Sequence, residues 1–192
     1  MVLFFLLIAE LVLILLSWIL SATGMEGVRS LLSSEGIRWF FGDFTQMVAS
    51  PLLVWLVLLL IALGAFQRSG LSSLSPMRHK LSYRDLTALR VSVVLLALYI
   101  AAILLLTLFP HAILLSASGA LFPSPFSRSI VPIMAFGISL VSIAFGMVSG
   151  RMQSLSDILD ALSFGLRNGA PLIVLFIFCI QFYESLCFVF RP

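Results

Sequence analysis

Five long apolar stretches dominate this chain, and a bilayer is the solvent that accommodates them. They run Val2 to Leu20, Pro51 to Phe66, Val91 to Phe109, Ile130 to Val148 and Pro171 to Phe190. A helix needs about 17–25 mostly apolar residues to cross the hydrocarbon core, and these segments meet or approach that length. Charged residues make up only 10% of the chain, against roughly 25% in a soluble domain. Water could not solvate a fold with so little charge and so much carbon. The expectation is an all-α membrane protein with about five transmembrane helices plus one or two interfacial amphipathic helices. The 192 residues suit a single membrane domain.

The connections carry topology. Between Gln67 and Arg90 lie Arg68, Arg78, Lys80, Arg84 and Arg90 against one acid, Asp85. Such an excess marks a cytoplasmic loop. Alternation then places the N-terminus in the cytoplasm and the C-terminus outside. Seven Lys and Arg fall on the cytoplasmic side and four on the other. The N-terminal segment has no basic residue before it, so it reads as a retained helix and not as a cleaved signal. The net charge of +3 is small, with no basic stripe for nucleic acid. Arg78, Lys80, Arg84 and Arg90 have two readings, topology alone or contact with anionic lipid head groups.

Two segments have the pattern of helices lying at the membrane surface. Ser34 to Ser50 carries Trp39, Phe40, Phe41 and Phe44 among polar residues, a density that suits interfacial anchoring. Leu155, Ile158, Leu159, Leu162 and Leu166 recur at helical spacing. They predict an amphipathic cytoplasmic arm over about 154–168, opened by a serine cap and closed by Asn168-Gly169 before Pro171. In the fourth apolar segment Gly137, Gly146 and Gly150 offer a small-residue face for close helix packing.

Few residues are equipped for chemistry. Cys179 and Cys187 sit about 12 Å apart along one helix, too far to bridge each other. His79 and His111 fall in different loops, and no metal-ligand spacing occurs. The sequence therefore predicts no enzyme, no metal and no cofactor. The polar residues of interest are Glu10, Gln181 and Glu184, all inside apolar segments. A charged carboxylate at mid-membrane costs at least about 2.5–3.5 kcal/mol, so each acid must be neutral, paired or close to the surface. Gln181 and Glu184, three residues apart, share a helix face. Three readings stay open: a proton or substrate relay, interhelical hydrogen bonding, and snorkelling of Glu184 to the outer surface.

Several local patterns occur in a meaningful order. They are Ser33-Ser34-Glu35-Gly36-Ile37-Arg38-Trp39, Gly64 through Arg68-Ser69-Gly70-Leu71, Leu121-Phe122-Pro123-Ser124-Pro125-Phe126, Gly146 through Gly150, Ser156-Asp157-Ile158 and Gln181-Phe182. The series resembles the aminobenzoyl-glutamate transporter (AbgT) family of bacterial inner-membrane secondary transporters. Residues 1–75 look like that family's first two helices, and 80–190 like a central stretch. The resemblance implies a homodimeric frame. It also implies that the re-entrant hairpins, which in longer members hold aminobenzoyl-glutamate- or sulfonamide-like substrates, are missing here. Glu10 is not part of the resemblance. The leading expectation is a transporter-derived scaffold or dimerising subunit, partnered by lipid and by a second copy or another membrane chain. The alternatives are a small proton-coupled transporter and an accessory subunit of a larger envelope complex.

Overall fold

The computed structural model describes residues 1–25, 27–73, 82–108 and 125–190. Among them the ordered elements are all helical: α1 (Val2–Ala22), α2 (Ser34–Gly42), α3 (Phe44–Val48), α4 (Pro51–Ser69), a 3-10 turn (Leu71–Ser73), α5 (Tyr83–Leu108), α6 (Pro125–Val148) and α7 (Leu155–Phe190). Five of these, α1, α4, α5, α6 and α7, are long and apolar enough to cross a membrane. The protein is thus an all-helical membrane protein with five candidate spans, as its apolar segments predict.

One boundary differs. The sequence closes the amphipathic arm at Asn168-Gly169, yet α7 continues through both residues and through Pro171 to Phe190. Proline removes one backbone donor, but a membrane helix tolerates that loss because its surroundings satisfy the freed carbonyl. At 36 residues, α7 far exceeds the roughly 20 a span requires. The arm and the fifth span are one helix.

The chain forms two compact units, one comprising Met1–Val54 with Ala170–Pro192 and the other Trp55–Gly169. In the first, α1 lies beside the final part of α7, and the segment after α1 folds onto both. The Arg29 N–H donates to the Val189 carbonyl at 3.1 Å, and the Leu31 N–H donates to Ser17 Oγ at 3.1 Å. Glu10 meets Ser185 further back along both helices, so α1 and this part of α7 run in the same direction. Leu13, Leu31 and Val189 form the core, with Trp39, Phe182 and Leu186 packed against it.

The helix α2 is set by a serine and a glycine. Ser33 Oγ accepts from the Gly36 N–H at 3.0 Å, satisfying one of the free donors of the first turn. Gly36 is buried, and a β-carbon there would lie 2.6 Å from the Leu31 carbonyl oxygen. Only a bare α-carbon permits that approach. Gly36→Ala is therefore expected to destabilise the protein by about 1–3 kcal/mol, the usual cost of overpacking. Thermal unfolding in detergent measures it, and an unchanged midpoint would show that the segment yields.

In the second unit, α5 and α6 pack side by side in opposite directions. Gly137 makes room for this: a β-carbon would lie 2.7 Å from Tyr99 Cε1. The Tyr99 ring crosses the gap, and its hydroxyl donates to the Ile133 carbonyl one turn earlier at 2.8 Å. The end of α6 is a Schellman cap. The Arg151 N–H donates to the Gly146 carbonyl and the Gly150 N–H to the Met147 carbonyl, at 2.9 and 3.1 Å. Gly150 sits at φ +78°, the left-handed geometry this cap requires. Gly150 thus ends the helix, and Gly146 faces Met152 of the following turn.

The closest helix crossing in this unit joins α4 to the first part of α7. A β-carbon on Gly64 would lie 2.7 Å from the Ala161 carbonyl and 2.8 Å from Gly165 Cα. Gly165 in turn lies against the Leu60 carbonyl, and Gly169 lies beneath the Leu60 side chain. Ala161, Gly165 and Gly169 recur every fourth residue, the small-residue spacing that lets membrane helices touch backbone to backbone. The α7 arm is seated on α4 along this stripe.

Candidate functional site

In the first unit, buried polar groups of α1 and α7 meet. Glu10, on α1, is partly buried. Its Oε1 accepts a hydrogen bond from Ser185 Oγ at 2.7 Å, while Oε2 is buried without a partner. Ser185 is fully buried. One helical turn before it on α7 stands Gln181, 7% exposed, with neither its amide oxygen nor its amide nitrogen bonded. Residues four apart share a helix face, so Gln181 and Ser185 lie on one side of α7.

Glu184 is partly buried and neighbours Ser185 in sequence. The acid on α1 is bonded to Ser185. Among the described residues no ion pair reaches Glu10 or Glu184. Ser185, beside Glu184 in the sequence, is the residue that joins α7 to Glu10.

The other predicted residues are placed as follows. Trp39 stacks on Phe188, with ring centroids 4.3 Å apart and planes 19° apart. It anchors α2 to the end of α7, while Phe41 and Phe44 stay exposed. Phe40 and Phe41 meet edge to face and border a small hollow with Ile14, Leu31 and Ile37. Arg84 and Arg90 are exposed on α5. Arg78 and Lys80 lie outside the described residues, as does the Leu121–Ser124 part of the Pro-Ser-Pro motif.

A cation that spacing alone could not find is Arg151. Its Nη1 donates to the Ser69 carbonyl at 3.2 Å, and its Nη2 lies 3.5 Å from Asp85 Oδ1. Its guanidinium also stands over the Phe145 ring, 5.6 Å from the centroid. One side chain thereby joins the end of α4, the start of α5 and the end of α6.

The second unit also holds apolar cavities. One of about 330 Å³ lies between α5 and α6 against Leu96, Tyr99, Ile103 and Ile133. Another of about 300 Å³ is bordered by Phe66, Leu89, Val93 and Val141. A third, of about 430 Å³, lies among Leu58, Ile61, Pro132, Ile143 and Leu162. Ser92 and Ser142 border the second, yet their hydroxyls are buried and unbonded. No group of three or more His, Cys, Asp or Glu that could hold a metal occurs among the described residues.

Five candidate spans and a buried carboxyl between α1 and the end of α7 define a multi-pass helical membrane protein. Comparison with known proteins gives that class a family. The model of the AbgT putative transporter family matches residues 36–188, and the chain belongs to this family. No curated protein and no solved structure matches it.

Proposed function

We propose that this chain acts as the frame of an AbgT-type transporter, a scaffold that dimerises or docks another membrane chain and does not carry solute alone. The observation that supports this reading is the character of its cavities. The four described above are bordered almost wholly by carbon. A transport site needs polar groups and unwound backbone near mid-membrane. The proline-containing helices α6 and α7 are instead continuous through Pro132 and Pro171.

We place the protein in a bacterial inner membrane with the N-terminus in the cytoplasm and the C-terminus outside. The basic loop before α5 supports that orientation. The shared direction of α1 and the end of α7 fits a first and a fifth span.

The test uses the purified chain in proteoliposomes with labelled aminobenzoyl-glutamate, a sulfonamide and a proton-sensitive dye. The expected result is no flux above empty vesicles, together with recovery of a second copy or a defined membrane partner from native membrane. Saturable uptake by the isolated chain would overturn the frame reading in favour of a small proton-coupled carrier.

A further inference from the structure

The seam between α1 and the end of α7 contains more hydrogen-bonding capacity than its contacts use. Glu10 Oε2 and both amide atoms of Gln181 are buried and unbonded. Leaving such groups unpaired in an apolar setting is costly, because the water bonds they give up are not replaced. An ionised carboxylate makes this worse, because it only accepts hydrogen bonds and would need a countercharge.

Among the described residues, the elements around Glu10 supply no such charge. Arg29, the basic residue of the segment folded over α1 and α7, lies 3.9 Å from Glu35 and stands over Phe188. On α2, Arg38 is exposed. The final part of α7 brings Cys179, Tyr183, Glu184 and Cys187, none of them a cation, and Glu184 would add like charge if ionised. On α1, Glu10 is the sole titratable side chain.

We propose that Glu10 is a proton-binding site, held as the neutral acid in the seam between α1 and α7. Ser185 donates to Oε1. The proton sits on Oε2 and gives the carboxyl the donor that the unpaired Gln181 amide oxygen can accept. The ligand is the proton itself. On release the Oε2–H bond breaks, its electron pair stays on the oxygen and the proton passes to water. The carboxylate left behind can no longer donate to the Gln181 amide oxygen, so any tie to α7 there must be remade with the amide NH2 turned to donate. The family match begins at residue 36, so this site lies outside the matched stretch. It does not depend on the frame reading, since a scaffold and a carrier alike could hold it.

Infrared spectroscopy of the purified chain in lipid nanodiscs tests the proposal. At neutral pH the wild type should show a protonated-carboxyl C=O band that disappears in Glu10→Gln and persists in Glu184→Gln. Gln181→Leu and Ser185→Ala should each shift the band, because each removes a hydrogen-bond partner. Absence of the band in the wild type, its survival in Glu10→Gln, or its loss in Glu184→Gln would overturn the assignment. An unshifted band in Gln181→Leu would overturn the role given to that amide. Should Glu10→Gln fail to fold, wild-type chain carrying carbon-13 in its glutamate carboxyls reads the protonation state directly by solid-state NMR. A neutral glutamic acid is expected, and four ionised glutamates would refute it.

Discussion

Replacing Gly165 by leucine is expected to abolish the folded protein in detergent, and replacing it by alanine to lower the unfolding midpoint sharply. No flexible neighbour stands opposite Gly165: its α-carbon lies against the Leu60 carbonyl and within reach of the Gly64 backbone. Side chains can turn aside when a methyl group is added, but two helix backbones can only separate. Separation would forfeit the whole seam along Ala161, Gly165 and Gly169. Overpacking at a yielding site costs about 1–3 kcal/mol, and this site should lie at or above the upper end of that range. Gly150→Ala is a useful contrast, because nothing close opposes that position except its own left-handed backbone. Its penalty should therefore be the smaller. Circular dichroism melts of the three variants would decide the matter, and a Gly165→Leu protein that melts like wild type would mean the crossing is loose.

The five spans were legible because their signal is summed over many residues. An apolar run of twenty reads the same whatever its neighbours are. The serine cap of the arm was legible too: Ser154 accepts from the Asp157 N–H at 3.2 Å, and the Asp157 carboxylate accepts from the Ser154 N–H at 3.0 Å. Pairings between distant segments were not. Gly64 and Gly165 are separated by a hundred residues, and neither glycine differs locally from Gly146, whose neighbour is only the next turn. A local Gly-x-x-x-Gly cannot distinguish a helix crossing from a helix followed by its own cap. The α7 boundary was misread for a related reason. Asn-Gly followed by Pro is a stop signal in water, and it loses that meaning where a helix is held along its length by others. Glu10 and Gln181 stood out as polar residues among carbon, yet their shared seam became visible only once α1 and the end of α7 were placed side by side.

The second large effect is expected at Arg151. Arg151→Ala should destabilise the protein by about 2–4 kcal/mol if its contacts to the Ser69 carbonyl and to Asp85 act independently, each charged hydrogen bond contributing roughly 1.5–3 kcal/mol before solvent exposure is discounted. Arg151→Lys should recover only part of this. A lysine can place one charge near Asp85, but it lacks the planar fork that reaches the Ser69 carbonyl with one nitrogen and the Asp85 carboxylate with another. The two contacts can be separated. Asp85 also accepts from the Ser82 N–H at 3.3 Å, so Asp85→Asn preserves the shape of that cap while removing the ion pair. In a double-mutant cycle, coupling between Arg151→Ala and Asp85→Asn isolates the electrostatic part. That part should be the smaller one and should fade with added salt, since the pair stands 3.5 Å apart and about a third of the arginine side chain is exposed. The larger, salt-insensitive remainder would belong to the Ser69 carbonyl and to packing over Phe145. If Arg151→Lys restores full stability, the fork is irrelevant and the residue acts as a simple surface charge. If alanine is costly and lysine is not a substitute, a single side chain holds the ends of α4, α5 and α6 in register.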